Sequence, residues 1–234
     1  MTVRMALVGA GAMADYHVKK FTAIPGVSIQ ACADHRSAKA EAFAARYGIP
    51  YRFDRIDTLL DAVAGDSPFS EKFRIDAASC AVVDSHHPRI ALACLNRGLP
   101  LFCEKPMSRS LVEAESMAEA AASAAADGAG RASGNLALPV VVNFSKRNAP
   151  ALVALAAVVR EGRLGRILNI DASYRQGWLV TGAWGDWRSS TTRRWRLSPA
   201  ESTAGVLGDL GSHLFDAILA VTGRAIIDPI LVDP

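Results

Sequence analysis

The sequence begins with a short apolar run followed by small residues, VRMALVGAGAMA. Gly9, Gly11 and Ala14 form a G-x-G-x-x-A pattern. The first glycine allows a tight turn, the second lets a ligand approach the backbone, and the small third residue lets a helix pack on a strand. A strand, this turn and a helix N-terminus together make a site for a phosphate group. The pattern therefore predicts a parallel α/β fold that binds a phosphorylated ligand through Gly9, Gly11, Ala12 and Met13.

A carboxylate stands where such a fold would need one for a dinucleotide. Asp34 ends the second apolar segment, GVSIQACAD, about 20 residues after the glycine-rich turn. A carboxylate there accepts hydrogen bonds from ribose hydroxyls and repels a 2′-phosphate, which favours NAD over NADP. Arg36, two residues further on, would weaken this preference, so NADP stays open. The alternative interpretation is a Rossmann-like domain that has lost its ligand.

The first half of the chain alternates strand-like and helix-like segments, which is typical of a parallel sheet covered by helices. An alanine-rich helix over roughly residues 110–126 is followed by DGAGRASGN, whose Gly, Ser and Asn residues break it. We therefore predict a Rossmann dinucleotide-binding domain at 1–126 and an α+β substrate-binding or oligomerisation domain at 127–234. In the second domain, LPVVVNF and RILNIDASY look like strands of an open sheet, with a helix between them.

Composition narrows the classes of partner. The 234 residues carry a net charge of +3, with 21% charged residues, which favours neither nucleic-acid binding nor an acidic tail. No apolar stretch approaches the roughly 18 residues of a membrane span, and the N-terminal apolar run is too short and glycine-broken for a signal peptide. Four isolated cysteines without a CxxC motif indicate buried thiols in a reducing cytoplasm, not a disulfide or zinc set. These are Cys32, Cys80, Cys94 and Cys103.

The segment FCEKP places Glu104, Lys105 and Pro106 at the end of another predicted strand. In open α/β sheets, ligands bind at the carboxyl edge of the strands. A lysine at that edge could donate a hydrogen bond to a substrate oxygen. Taken alone, however, the residues favour the alternative of two surface charges before a helix.

A second polar cluster, GDLGSHLFD, sets Asp209 and His213 four residues apart. On a helix this spacing places both side chains on one face. The pair fits a metal site, an acid–base pair or a helix cap, and the neighbouring residues do not decide among them. A third metal ligand of the right kind is missing nearby in the sequence, so we predict no metal here. For Asp216 we predict a structural role.

Taken together, these motifs resemble one known family. The turn at 9–14, Asp34, the E-K-P segment at 104–106 and GDLGSHLFD occur in the order and spacing of the Gfo/Idh/MocA family of NAD(P)-dependent sugar and polyol dehydrogenases. Other segments are similar to that family's second domain and to the stretch leading into its site helix. They are VVVNFSKRNAPALVAL, GRLGRILNIDASY and WRLSPAESTAGVLGDLGSH, so the resemblance covers essentially the whole chain.

The resemblance implies catalytic roles for Lys105, Asp209 and His213, which would also contact the substrate. His213 would accept the proton of a substrate hydroxyl as the carbon gives hydride to the nicotinamide, and Asp209 would orient the imidazole. Lys105 would steady the forming carbonyl oxygen, and both Glu104 and Lys105 would lie near the cofactor. The residue types suit this chemistry, since histidine titrates near neutral pH and a cation stabilises a developing oxyanion.

The sequence departs from the family pattern in three places. The loop after the fourth strand reads VVDSHH where the family has a T-P-N-like turn, so Asp84 and His87 would meet the cofactor with a carboxylate in place of an amide. In NFSKR, Lys146 stands where an aromatic or basic residue is usual, and Asn143 and Arg147 become candidate substrate contacts. The chain also stops short of a typical member, which predicts an incomplete sheet in the second domain.

All four tryptophans fall within one window of the second half, interleaved with arginines. The window fits a substrate lid in which Trp178 and Trp195 stack on a sugar ring. The near-neutral charge disfavours a nucleic-acid surface. The remaining alternative is a loop that packs its tryptophans against the first domain or a partner subunit.

We therefore expect a cytoplasmic oxidoreductase that transfers hydride between a secondary alcohol of a sugar, polyol or inositol and NAD. Its partners would be a small-molecule substrate and further copies of the chain, as a dimer or tetramer if the second domain is complete enough. We expect no nucleic acid, membrane or metal. The alternatives are an NAD-dependent redox-assisted glycoside hydrolase, a non-catalytic NAD-binding regulator and an inactive truncated fragment. Retention of Lys105, Asp209 and His213 argues against a regulator, which needs only the cofactor half.

Overall fold

The computed structural model describes residues 2–64, 73–126, 138–183, 185–190, 195–197 and 205–224. The chain divides into two compact units, Met1–Asn143 and Phe144–Pro234. Within the described ranges, no helix is both long and apolar enough to cross a membrane.

The first unit is built on a parallel sheet. Its strands are β1 (Val3–Val8), β2 (Val27–Ala33), β3 (Tyr51–Phe53), β4 (Ala77–Cys80), β5 (Leu101–Cys103) and β6 (Val140–Val142). Its described helices are α1 (Ala12–Phe21), α2 (Ser37–Tyr47), α3 (Ile56–Ala64), α4 (His87–Leu95) and α5 (Leu111–Ala126). The strand order β3-β2-β1-β4-β5-β6, with every pairing parallel, confirms the predicted α/β fold.

β1 lies in the interior of this sheet, paired with β2 on one side and β4 on the other. Met5 and Leu7 belong to one core cluster, whereas Ala6 and Val8 belong to another. Both faces of the strand are therefore buried from Met5 to Val8, which explains why these four residues are all apolar instead of alternating with polar ones. Because the strands are parallel, the residues that follow β1, β2, β4 and β5 meet at one edge of the sheet.

The strand predicted at LPVVVNF is β6, and it belongs to the first unit instead of the second. Val140, Val141 and Val142 pair with Leu101–Cys103 of β5. The division between the units accordingly follows Asn143, whereas the sequence placed it between residues 126 and 127. The predicted break at 127–135 lies outside the described residues, and the alanine-rich helix before it is α5, as predicted.

The described part of the second unit is helical. It contains α6 (Pro150–Arg160), α7 (Trp178–Thr181) and α8 (Ser212–Thr222), and α6 packs against α8. The strand predicted at RILNIDASY is wrong for the described residues, because residues 167–177 have no regular structure and no described strand of this unit pairs with them. Between α6, α8 and this segment lies an apolar groove of about 550 Å³.

Candidate active site

The glycine-rich turn joins β1 to α1. Gly9 has φ +98°, and a Cβ there would lie only 2.6 Å from the carbonyl oxygen of Ala81. Gly11 is the N-cap of α1 and provides no side-chain cap. The first-turn N–H groups of a helix have no partner within the helix, so this end of α1 offers donors and a positive dipole to an anion. The turn therefore has the donors that a dinucleotide pyrophosphate needs, and contact of Ala12 and Met13 with one remains a prediction.

The two glycines of this turn are expected to respond differently to substitution. Gly9→Ala should lower the free energy of unfolding by at least about 2 kcal/mol, because the new methyl group meets backbone and the positive φ strains any L residue. Gly11→Ala should leave thermal stability unchanged and weaken only dinucleotide binding, since its Cβ would have Lys39 Nζ at 3.9 Å as nearest neighbour. Thermal melts and NAD titrations of both variants test this. Equal destabilisation by the two variants would contradict it.

Asp34 follows β2 and is buried at the same edge of the sheet. Its Oδ2 accepts a hydrogen bond of 3.0 Å from the N–H of Ala10, and its Oδ1 accepts bonds of 3.1 and 3.2 Å from the backbone N–H and Nε of Arg36. Burial raises the pKa of Asp34, but these hydrogen bonds outweigh burial and hold the pKa below its usual value. The carboxylate thus ties the glycine-rich turn to β2 and stays ionised.

Lys39, which was not predicted from the sequence as a site residue, also lies near Asp34. Its Nζ lies 4.0 Å from Asp34 Oδ2. Burial lowers the pKa of Lys39, as does the nearby charge of Arg36, and the charge of Asp34 opposes both. Two cations therefore flank the carboxylate that was predicted to decide between NAD and NADP. The spacing of Lys39 on α2, one turn beyond Arg36, was the available signal.

The loop after β4 carries two of the predicted cofactor contacts, Asp84 and His87. Asp84 begins a short 3₁₀ helix and is 3% exposed, and His87 is 1% exposed. The Nδ1 atom of His87 lies 2.7 Å from the carbonyl oxygen of Pro106, and its Nε2 lies 3.2 Å from that of Val82. The contact between His87 and Pro106 holds the loop to the E-K-P segment. Contact of Asp84 or His87 with a cofactor remains a prediction.

Glu104, directly after β5, is the acceptor of a buried hydrogen-bond network. Its Oε1 lies 2.9 Å from His17 Nε2 and 2.6 Å from Asn143 Nδ2, and its Oε2 lies 3.3 Å from the backbone nitrogen of Lys105. Burial raises the pKa of Glu104, but the hydrogen bonds from His17 and Asn143 lower it by more than burial raises it. The pKa of Glu104 is therefore below its usual value. The network fixes the backbone of the half-buried Lys105 at the carboxyl edge of the sheet.

His17 is the second functional residue that sequence reasoning missed. It lies on α1, is 3% exposed, and places Nδ1 2.9 Å from the buried Ser79 Oγ. In a neutral ring, Nε2–H donates to Glu104 while Nδ1 accepts the hydroxyl proton of Ser79. A signal was present, because His17 shares the buried face of α1 with Ala14 and Val18. A polar residue on such a face needs buried partners.

The two predicted substrate contacts after β6, Asn143 and Arg147, each bind another side chain of the protein. Asn143 binds Glu104, as described above. Arg147 forms a two-point ion pair with the buried Asp216 of α8, with Nε 3.2 Å from Oδ2 and the second contact between the terminal nitrogen and Oδ1. Asp216 has the structural role that the sequence predicted. A substrate contact by Asn143 or Arg147 remains a prediction.

Asp209 and His213 lie on either side of a change in helix type. Residues Leu207–Gly211 form a π-helical turn, and α8 begins at Ser212, so the α-helical spacing assumed from the sequence does not apply between them. Such turns often occur at functional positions. Asp209 Oδ1 lies 3.8 Å from Arg196 Nε. The ring of His213 stands edge-on to those of Phe144 and Tyr174, at centroid distances of 6.0 and 5.9 Å, and borders the apolar groove.

Two tryptophans of the window are described by their burial or their contacts. Trp178 is 7% exposed at the start of α7, and its stacking on a sugar ring remains a prediction. Trp187 donates from Nε1 to the carbonyl oxygen of Leu179 at 3.0 Å, with Arg188 over its ring. Trp195 begins a 3₁₀ turn, and its lid role stays a prediction, while Trp184 lies outside the described residues.

Comparison with known proteins agrees with this architecture. Residues 3–126 match the model of an oxidoreductase family with an NAD-binding Rossmann fold, and residues 152–228 match the GFO/IDH/MocA C-terminal domain. The chain is 26% identical to glucose-6-phosphate 3-dehydrogenase of Bacillus subtilis, over 92% of this chain and 52% of the relative. It is 28% identical to inositol 2-dehydrogenase 2 of Saccharopolyspora erythraea, over 75% of this chain and 46% of the relative.

A solved structure of levoglucosan dehydrogenase, in complex with NADH and levoglucosan, superposes on this chain with a TM-score of 0.76. It covers 96% of this chain and 55% of the other, at 24% identity, a level that supports the fold alone. The chain thus spans about half the length of the relatives it matches.

Proposed function

This chain belongs to the Gfo/Idh/MocA oxidoreductase family, as its motifs predicted, and we propose that it transfers hydride between a secondary alcohol of a sugar, polyol or inositol and NAD. One observation supports this more than any other. The glycine-rich turn after β1, Asp34 after β2 and Lys105 after β5 lie at the same edge of one parallel sheet. That edge is where open α/β sheets bind ligands, so a phosphate site, a ribose acceptor and a cationic side chain share one unit.

We assign roles to side chains by their chemistry and by their match to the family motifs. When bound, NAD supplies the hydride acceptor. Lys105 donates a hydrogen bond to the substrate oxygen and stabilises the negative charge that develops on it. His213 accepts the hydroxyl proton, as an imidazole can near neutral pH, and Asp209 favours the resulting imidazolium. The Glu104 network keeps Lys105 in place during the reaction.

NADH formation from a panel of alcohols tests this proposal. The panel follows the names of the relatives: glucose 6-phosphate, inositols and levoglucosan, together with free aldoses. We expect at least one of them to yield NADH with the wild-type chain, and His213→Ala to abolish it without loss of NAD binding. NAD binding with no NADH from any alcohol would contradict a dehydrogenase and favour a regulator or a redox-assisted hydrolase.

Cofactor preference provides a separate prediction at Asp34. In Asp34→Ala, Arg36 and Lys39 lose their carboxylate partner and become free to bind a 2′-phosphate. A charge-assisted hydrogen bond is worth about 1.5–3 kcal/mol, so the ratio of NADP to NAD affinity should rise about 10- to 100-fold. Titration of both dinucleotides measures it, with the exposed Asp54→Ala as matched control. An unchanged ratio would refute the role given to Asp34.

We propose a cytoplasmic setting for this chain. All four cysteines are buried and free, which suits the reducing cytoplasm predicted from the sequence. We further propose that copies of the chain associate through the second unit, where α6 and α8 leave apolar side chains exposed. Light scattering of the purified chain tests this, and a monomer at all concentrations would refute it.

A further inference from the structure

Two cysteines and a histidine that are far apart in the sequence meet beneath the E-K-P segment. Cys80 is the last residue of β4, Cys103 is the last residue of β5, and the two are direct partners in the parallel ladder. His87 is the first residue of α4. All three are at most 1% exposed.

The three side chains present metal-ligand atoms to one another. The two Sγ atoms and one ring nitrogen of His87 all lie within 4.8 Å of each other. In a tetrahedral site with Zn–S bonds of about 2.3 Å, two thiolate sulfurs stand about 3.8 Å apart, so a small inward movement would close the cluster around one ion. Strand ends and a helix start hold these groups, and ligands on such rigid elements are positioned more firmly than ligands on loops.

The surroundings of His87 match those of a metal-binding imidazole. A ligating histidine donates its other ring N–H to a carbonyl oxygen or carboxylate, which fixes the tautomer. Here Pro106 O lies 2.7 Å from Nδ1 and Val82 O lies 3.2 Å from Nε2, so whichever nitrogen does not bind an ion has an acceptor. On binding, the nitrogen that takes the ion would exchange its carbonyl contact for the metal, and the other nitrogen would keep its acceptor.

We propose that Cys80, His87 and Cys103 form a buried binding site for a thiophilic divalent cation of the zinc class. Two thiolates and an imidazole select zinc over the hard cations magnesium, calcium and manganese, which take oxygen ligands. Binding would release both thiol protons to solvent and would involve no change in oxidation state. The site would tie the loop after β4 to the segment Glu104–Pro106. Ile90 and Met117 belong to the same core cluster as the two cysteines, and the fourth position of the ion would be left for a water molecule.

Metal content and cobalt spectroscopy test the site, and neither depends on the proposed enzyme activity. The chain purified without chelator should carry about one zinc per molecule. After exchange into Co²⁺, it should show thiolate-to-cobalt charge transfer and the intense visible bands of tetrahedral cobalt. Cys80→Ser and Cys103→Ser should each lose about one order of magnitude or more in metal affinity. Cys32→Ser, which changes a buried cysteine of the other core cluster, should retain the metal.

The wild-type measurement keeps the proposal falsifiable even if a serine variant fails to fold. A folded wild-type chain that contains no zinc and takes up neither Zn²⁺ nor Co²⁺ would overturn it. Bound cobalt without charge-transfer bands would also overturn it, because thiolates would then not be ligands. A Cys80–Cys103 disulfide in freshly purified protein, detected by mass and thiol titration, would count against it equally.

Discussion

Lys105→Met should form NADH about 10²- to 10³-fold more slowly than the wild type while binding NAD equally well. The expected loss is that of one hydrogen-bond donor to a developing oxyanion, because methionine keeps the length of the chain but removes its charge and donors. Steady-state kinetics give kcat and KM for the alcohol, and a separate titration gives the affinity for NAD. The change should fall mainly on kcat, since the ammonium group interacts more strongly with the transition state than with the neutral alcohol.

An exposed lysine provides the control for this variant. Lys20→Met on α1 also removes one positive charge, from an exposed position, and should leave the kinetics unchanged. If Lys105→Met retained wild-type turnover, the catalytic role of Lys105 would be wrong even though the chain were a dehydrogenase. If it lost NAD affinity as strongly as turnover, Lys105 would bind the cofactor instead of acting on the substrate.

His17→Ala is expected to cost about 3 kcal/mol of stability, because it leaves the buried Glu104 carboxylate without its strongest partner. The side chains of His17 and Glu104 are 3% and 9% exposed, so solvent screens the pair only weakly. The same variant should lower kcat, because Glu104 holds the backbone of Lys105. Chemical denaturation and steady-state kinetics measure the two effects.

Removal of the negative charge of Glu104 shows whether His17 stabilises the protein through that charge or through packing alone. In the double variant His17→Ala/Glu104→Gln, the buried group is neutral, so part of the lost stability should return and the two substitutions should be non-additive. If the double variant lost the sum of both single effects, the contact between His17 and Glu104 would not be the origin of the stability.

The pH dependence of the same variant has a definite sign. The folded-state pKa of Glu104 is lowered, so the pair stabilises the wild type above the ordinary pKa of a glutamate, and this contribution is lost as the pH falls through the folded-state pKa. The difference in stability between wild type and His17→Ala should therefore be largest near neutral pH and shrink on acidification. A difference independent of pH would indicate packing alone.

The sequence was sufficient where function rests on a short local pattern. The glycine-rich turn, Asp34 and the E-K-P segment each follow a strand directly, so their positions at the sheet edge come from chain order and parallel pairing alone. Gly9 illustrates this, since its positive φ and its close approach to Ala81 are what the first glycine of the pattern predicts.

The sequence was insufficient where a residue's role depends on distant partners. β6 joins the first sheet because β5 offers it an unpaired edge, a fact that no local pattern in LPVVVNF contains. His17 and Glu104 lie far apart in the chain, as do Cys80 and Cys103, and only the sheet brings each pair together. The π turn at Asp209 was not predicted either, because such turns are rare and occur as single turns inside longer α-helices.

The two-sided burial of β1 has a consequence for how this chain could change over evolutionary time. Met5 and Leu7 are packed on one face, and Ala6 and Val8 on the other, so every position from 5 to 8 is enclosed. A strand with one solvated face can accumulate neutral substitutions there, but this segment has no such face. Replacements in it would have to conserve volume or be matched by a second replacement across the core. Divergence of substrate preference would therefore proceed through the loops that follow the strands, while β1 changed slowly.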